Sequence, residues 1–214
     1  MGIYIEALIL FILLFFSVQA GIFTGLAAPA GAFAVTELAK IFLYYLPCLA
    51  LIWYLLLKVH KVKIQVFRFE KKDLISGFIT FPGLLLIGLG VTFLSIKIGA
   101  TSAQISLYSP SSVPGWIQLC FTCIFSAYLE ESFFRYYLLS QKEKFDLGSA
   151  SALVLSVVLF SSIHFNAGPW SILNSALCGT FLGLVFLRYK TLHGIAIAHS
   201  LYNICAFILN TMIN

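Results

Sequence analysis

The amino-acid sequence predicts an all-α fold, a polytopic transmembrane helical bundle of about seven spans, with an eighth possible, forming one integral membrane domain. Three observations lead there. The 214 residues are 61% hydrophobic and only 10% charged, with a mean hydropathy of +1.00, far from the balance of a soluble globular chain. Apolar runs recur at close to the length of about 20 residues that a helix needs to cross a bilayer. Charges collect between those runs: of eight acidic residues, only Glu130 and Glu131 lie well inside one, with Glu6 and Glu37 near span starts.

Seven apolar segments can be drawn in order, at about 4–26, 34–57, 74–98, 115–139, 149–166, 170–188 and 191–212. The first is read as a retained span rather than a signal peptide, because the first positive charge is Lys40 and no basic region precedes the run. Ala27-Ala-Pro-Ala-Gly-Ala32 is a breaker without charge between the first and second segments. The alternation Val62-Lys63-Ile64-Gln65-Val66 is compatible with a short extended piece. The third span carries Pro82-Gly83, Gly88 and Gly90, which membrane helices tolerate where neighbours satisfy the freed backbone groups or pack closely. Ser109-Pro-Ser-Ser-Val-Pro-Gly115 reads as a loop before the fourth span, and Gly179-x-x-x-Gly183 as a close-packing face on the sixth.

Positive charge sets the expected orientation. With the N-terminus in the cytoplasm, that side holds Lys58, Lys61, Lys63, Arg68, Lys71, Lys72, Lys142, Lys144, Arg188 and Lys190, while only Lys40 and Lys97 fall at the other ends of spans. The net charge of +5 is therefore a topology signal for a chain whose partner is the lipid bilayer, and no nucleic-acid partner is expected. All five cysteines, Cys48, Cys120, Cys123, Cys178 and Cys205, fall in expected spans, which argues against a disulfide framework.

Ionised groups in hydrocarbon are costly, so the polar residues inside the later spans are the candidate functional set. Glu131 and Arg135 are four apart, share a helix face and can form an ion pair, whereas Glu130 is rotated by about 100° and can point elsewhere. His164 ends the fifth segment, and His199 and Asn203 share a face of the seventh. His60 and His193 are read as interfacial, Glu6 as able to snorkel from near the start of the first span, and Ser102, Ser111 and Ser112 as loop residues without a base nearby. Two carboxylates, two imidazoles and a carboxamide on three helices suit hydrolysis of a peptide bond. Glu130 with His164 can activate water, and His199 with Asn203 can offer two donors to the oxyanion. The same residues admit a second reading, in which His164, His199 and Glu130 ligate zinc and leave a position open for water.

Glu130-Glu-x-x-x-Arg135, Phe160-x-x-x-His164 and His199-x-x-x-Asn203 resemble, in order, the three motifs of the CPBP (Abi) family of CAAX proteases and bacteriocin-processing enzymes. The resemblance covers about residues 115–210. It implies an intramembrane glutamate protease without a metal cofactor, with catalytic roles falling on Glu130, His164, His199 and Asn203 and supporting roles on Glu131 and Arg135. It implies a substrate that is a peptide or protein at the membrane, prenylated or otherwise anchored, reached through a cavity open to the cytoplasm. On this basis residues 1–100 are N-terminal transmembrane helices and residues 101–214 the catalytic core. The rival classes are a membrane immunity or scaffold protein without catalysis and a proton-coupled transporter. One mismatch accompanies the segment boundaries: His164 lies roughly 9–10 Å deeper from its cytoplasmic end than Glu130 and His199 do from theirs.

Overall fold

A computed structural model describes residues 2–16, 38–63, 67–99, 110 and 112–213. The 27–32 breaker, positions 64–66 of the suggested extended piece, and Ser102 and Ser111 lie outside these residues. The described residues form seven helices and no strand: α1 (2–16), α2 (Leu38–Val59), α3 (Lys71–Lys97), α4 (113–139), α5 (Ser149–Ser162), α6 (Pro169–Tyr189) and α7 (His193–Ile213). Among them, α2, α3 and α6 are long and apolar enough to cross a membrane by length and composition, and the architecture is that of a helical membrane bundle.

Local chemistry fixes the helix ends. Ser112 caps α4, its Oγ accepting from Gly115 N at 3.3 Å, with a proline in the first turn where no N–H is missed. A capping box opens α3: Glu70 and Asp73 each accept from the other's backbone N–H. The second oxygen of Asp73 accepts from Gly194 N at 3.1 Å, so one buried carboxylate starts α3 and α7 together. Pro169 begins α6 after Gly168, whose φ of +87° suits glycine, and Lys190 ends it at φ +55°.

The fifth segment differs from its sequence reading. Hydropathy extends it to residue 166, but the helix stops at Ser162 and residues 165–167 form a short 3₁₀ turn, so His164 stands in the turn beyond the helix. Fourteen residues rise only about 21 Å. The ring of Phe160 nevertheless reaches Arg135 and His199, which brings the end of α5 level with the polar groups of α4 and α7.

α3 lies against α6 and α7, α4 against α7, and α5 against α6. Small residues set these approaches. The face formed by Gly179 and Gly183 is real: a Cβ on Gly179 would stand 2.8 Å from the Phe160 ring, and one on Gly183 would stand 2.3 Å from Leu153. Gly83 lies under Phe181 and Gly88 under Tyr202, whereas Gly90 faces open space. The buried core draws on both ends of the chain, with Phe11 and Phe15 of α1 and Trp53 of α2 packed around Phe133, Phe134 and Tyr137 of α4.

The basic loops gather at one end of the bundle. Lys144 Nζ donates to His60 O at 2.8 Å, and burial, followed by nearby Lys142, holds the Lys190 ammonium below its usual range. Glu6, expected to snorkel, and His60, expected to be interfacial, meet there: His60 Nε2 lies 2.8 Å from Glu6 Oε1, which also accepts from Tyr137 OH at 2.7 Å. His193 is likewise engaged, with Tyr128 OH at 3.0 Å from its Nδ1 and Phe67 O at 3.0 Å from its Nε2.

A Cβ on Gly194 would lie 2.1 Å from Ser76 Oγ and 2.2 Å from Asp73 O, with backbone on one side that has no room to move. Gly194→Ala is expected to lower stability by about 1–3 kcal/mol. Gly90→Ala, in open space on a helix, is expected to leave it unchanged or raise it by up to about 1 kcal/mol. Thermal unfolding of the two detergent-solubilised variants checks the contrast.

Candidate active site

α4 presents two carboxylates to different surroundings. Glu131 is completely buried, and its Oε2 lies 3.1 Å from Arg135 Nε, an ion pair that lacks the alignment of a hydrogen bond. Arg135 is also completely buried. Its guanidinium donates at 3.4 Å both to Ser156 Oγ of α5 and to Gly179 O of α6, and lies over the face of Phe160 at 5.0 Å. From Ser132 the helix widens to longer-range backbone bonding, with Ser140 N donating to Arg135 O at 2.7 Å. Such wide turns inside α-helices often occur at functional sites.

Glu131 has a second partner that the four-residue spacing did not predict. His199 Nδ1 donates to Glu131 Oε1 at 2.9 Å, across 68 residues of sequence. That contact turns the other ring nitrogen toward the neighbouring carboxylate, with His199 Nε2 3.8 Å from Glu130 Oε2. Glu130 is the more open of the pair, its side chain 14% exposed against 0% for Glu131.

The structure thus joins Glu130, Glu131, Arg135 and His199 directly. His164 connects differently: its Nδ1 donates to Phe160 O at 3.0 Å, which leaves Nε2 free of that bond, and its ring packs on Phe160 at 5.3 Å. Phe160 also meets the His199 ring at 5.9 Å, edge to face, so one aromatic stands beside both imidazoles. Asn203 is half-buried one turn beyond His199. Among the described residues neither His164 nor Asn203 makes a hydrogen bond or ion pair with the two carboxylates.

Two neighbours are absent from the sequence-derived set. Ser126 donates to Glu130 Oε1 at 2.9 Å, and Ser156, which receives Arg135, in turn donates to Phe134 O at 3.0 Å. The spacing of Ser126 and Glu130 is the same four residues that singled out Glu131 and Arg135. For zinc, the fit is poor: among the described residues no three His, Cys, Asp or Glu side chains are grouped as a metal would require.

Removing one partner of a buried ion pair leaves the other uncompensated at a cost of about 3–5 kcal/mol. Arg135→Met is therefore expected to lower stability on that scale. Arg135→Lys should not restore it, because an ammonium cannot reproduce the fork that meets Ser156 and Gly179. Unfolding midpoints in detergent test both.

Residues 112–205 match the family model described as type II CAAX prenyl endopeptidase Rce1-like. The matched stretch begins at the cap of α4 and contains Glu130, Glu131, Arg135, His164, His199 and Asn203. No curated protein and no solved structure matches the chain. Over residues 112–205 the chain is similar to the CAAX prenyl endopeptidases that this family model describes.

Proposed function

We propose that this protein is an intramembrane endopeptidase of the glutamate type. Glu130 and His164 hold a water molecule, and the Glu130 carboxylate takes its proton as the oxygen attacks the scissile carbonyl carbon. The developing oxyanion accepts hydrogen bonds from His199 Nε2–H and the Asn203 carboxamide. Collapse of the tetrahedral intermediate breaks the C–N bond, and the proton held by Glu130 passes to the leaving amine. Glu131 and Arg135 act through others: Glu131 fixes the ring of His199, and Arg135 holds Glu131 in place as its ion-pair partner.

The observation that carries this reading is the Glu131–His199–Glu130 geometry. A buried carboxylate binds one nitrogen of the ring at 2.9 Å and leaves the other 3.8 Å from a more open carboxylate. The family description adds the reaction class, and with it a substrate that is a peptide or protein segment held at the membrane by a prenyl or other anchor. The cluster of basic loops at one end of the bundle supports a cavity that opens to the cytoplasm. A metal cofactor has no part in this scheme.

Glu130→Gln is expected to lower kcat by about 10²–10⁴-fold while the protein stays folded in the membrane. Comparing membrane-derived peptides from cells carrying wild type and Glu130→Gln measures this and identifies the substrate. Wild-type cleavage in the variant removes the assignment. Strong chelators are expected to leave activity unchanged, and chelator inactivation reversed by zinc would assign His164, His199 and Glu130 to a metal instead.

A further inference from the structure

Serine hydroxyls inside helices usually return to the carbonyl three or four residues back. Ser140, Ser175 and Ser200 do so here, donating to the carbonyls of Tyr136, Ser171 and Ala196. Ser126 breaks this habit. It sits one turn before Glu130 on α4 and donates forward, to Glu130 Oε1 at 2.9 Å.

We infer that Ser126 is a positioning residue for Glu130, an inference that rests on the reading of Glu130 as the reacting carboxylate. A carboxylate on a flexible side chain samples several rotamers, and a general base must be held within a few tenths of an ångström of its working geometry. Ser126 occupies Oε1 with a charge-assisted hydrogen bond. The remaining oxygen, Oε2, is the one 3.8 Å from His199 Nε2. Ser126 therefore selects which oxygen is presented to the reaction and against which face of the site. The hydroxyl touches neither substrate nor water in this scheme, so its effect passes entirely through Glu130.

Ser126→Ala, Ser126→Thr and Glu130→Gln, each reconstituted in phosphatidylcholine vesicles, separate this inference from the function beneath it. The activity probe is a prenylated peptide that wild type cleaves. The structural probe is the carboxylate stretching band in the infrared spectrum, assigned by its loss in Glu130→Gln. Ser126→Ala is expected to shift that band and to lower kcat about tenfold or more with KM unchanged, the scale of a hydrogen bond to a charged group. Ser126→Thr, which keeps the hydroxyl, is expected to restore both band and kcat. An unshifted band or wild-type kcat in Ser126→Ala, with Glu130→Gln inactive, overturns the inference and leaves the proposed function standing. Cleavage retained in Glu130→Gln overturns the function, and the inference with it, whatever the band does.

Discussion

A guanidinium with no exposed surface must be neutralised and hydrogen-bonded where it stands, and most of this bundle's geometry follows from how Arg135 meets that demand. Glu131 supplies the charge from one turn away, Ser156 and Gly179 O accept from α5 and α6, and the Phe160 ring covers the cationic face. The absence of a side chain at Gly179 lets Phe160 approach. Glu131 then reaches His199 on α7. One buried pair thereby relates four helices to each other. Desolvating each ion costs several kcal/mol and offsets much of their attraction, so direction is the larger part of what the pair contributes.

Spacing within a single helix made part of this site legible in the sequence. Glu131 with Arg135 needed only the rule that residues four apart share a face. The contact between Glu131 and His199 did not follow from any such rule, because it depends on how α4 and α7 cross. For the same reason Glu6 and His60, 54 residues apart, read as two surface residues although they share a partner in Tyr137. The end of α5 was missed on other grounds. Hydropathy measures side chains, and Ile163 and Phe165 are apolar whether the backbone continues as a helix or turns. The class of the fold suffered from none of this, since the lengths of the apolar runs alone decide it.

The division of labour between the carboxylates also has a local origin. Two adjacent residues on a helix point about 100° apart, so Glu130 and Glu131 necessarily face different surroundings. Glu131 meets the sealed side, with Arg135 and the imidazole. Glu130 meets the side where 14% of its surface stays open. Adjacent placement on one rigid element keeps the two environments in fixed register.

The contacts of α1 carry a consequence for how the molecule is assembled. Tyr4 bonds Phe145 O, and Glu6 bonds Tyr137, partners 141 and 131 residues further along the chain. At ordinary rates of synthesis, on the order of ten seconds separates the appearance of α1 from that of its partners. Through that interval the Glu6 carboxylate lacks Tyr137. His60 emerges earlier, and its imidazole is the group able to hold that carboxylate while α4 is made. The contacts that seat α1 are thus completed only after α4 and the turn beyond it have been made.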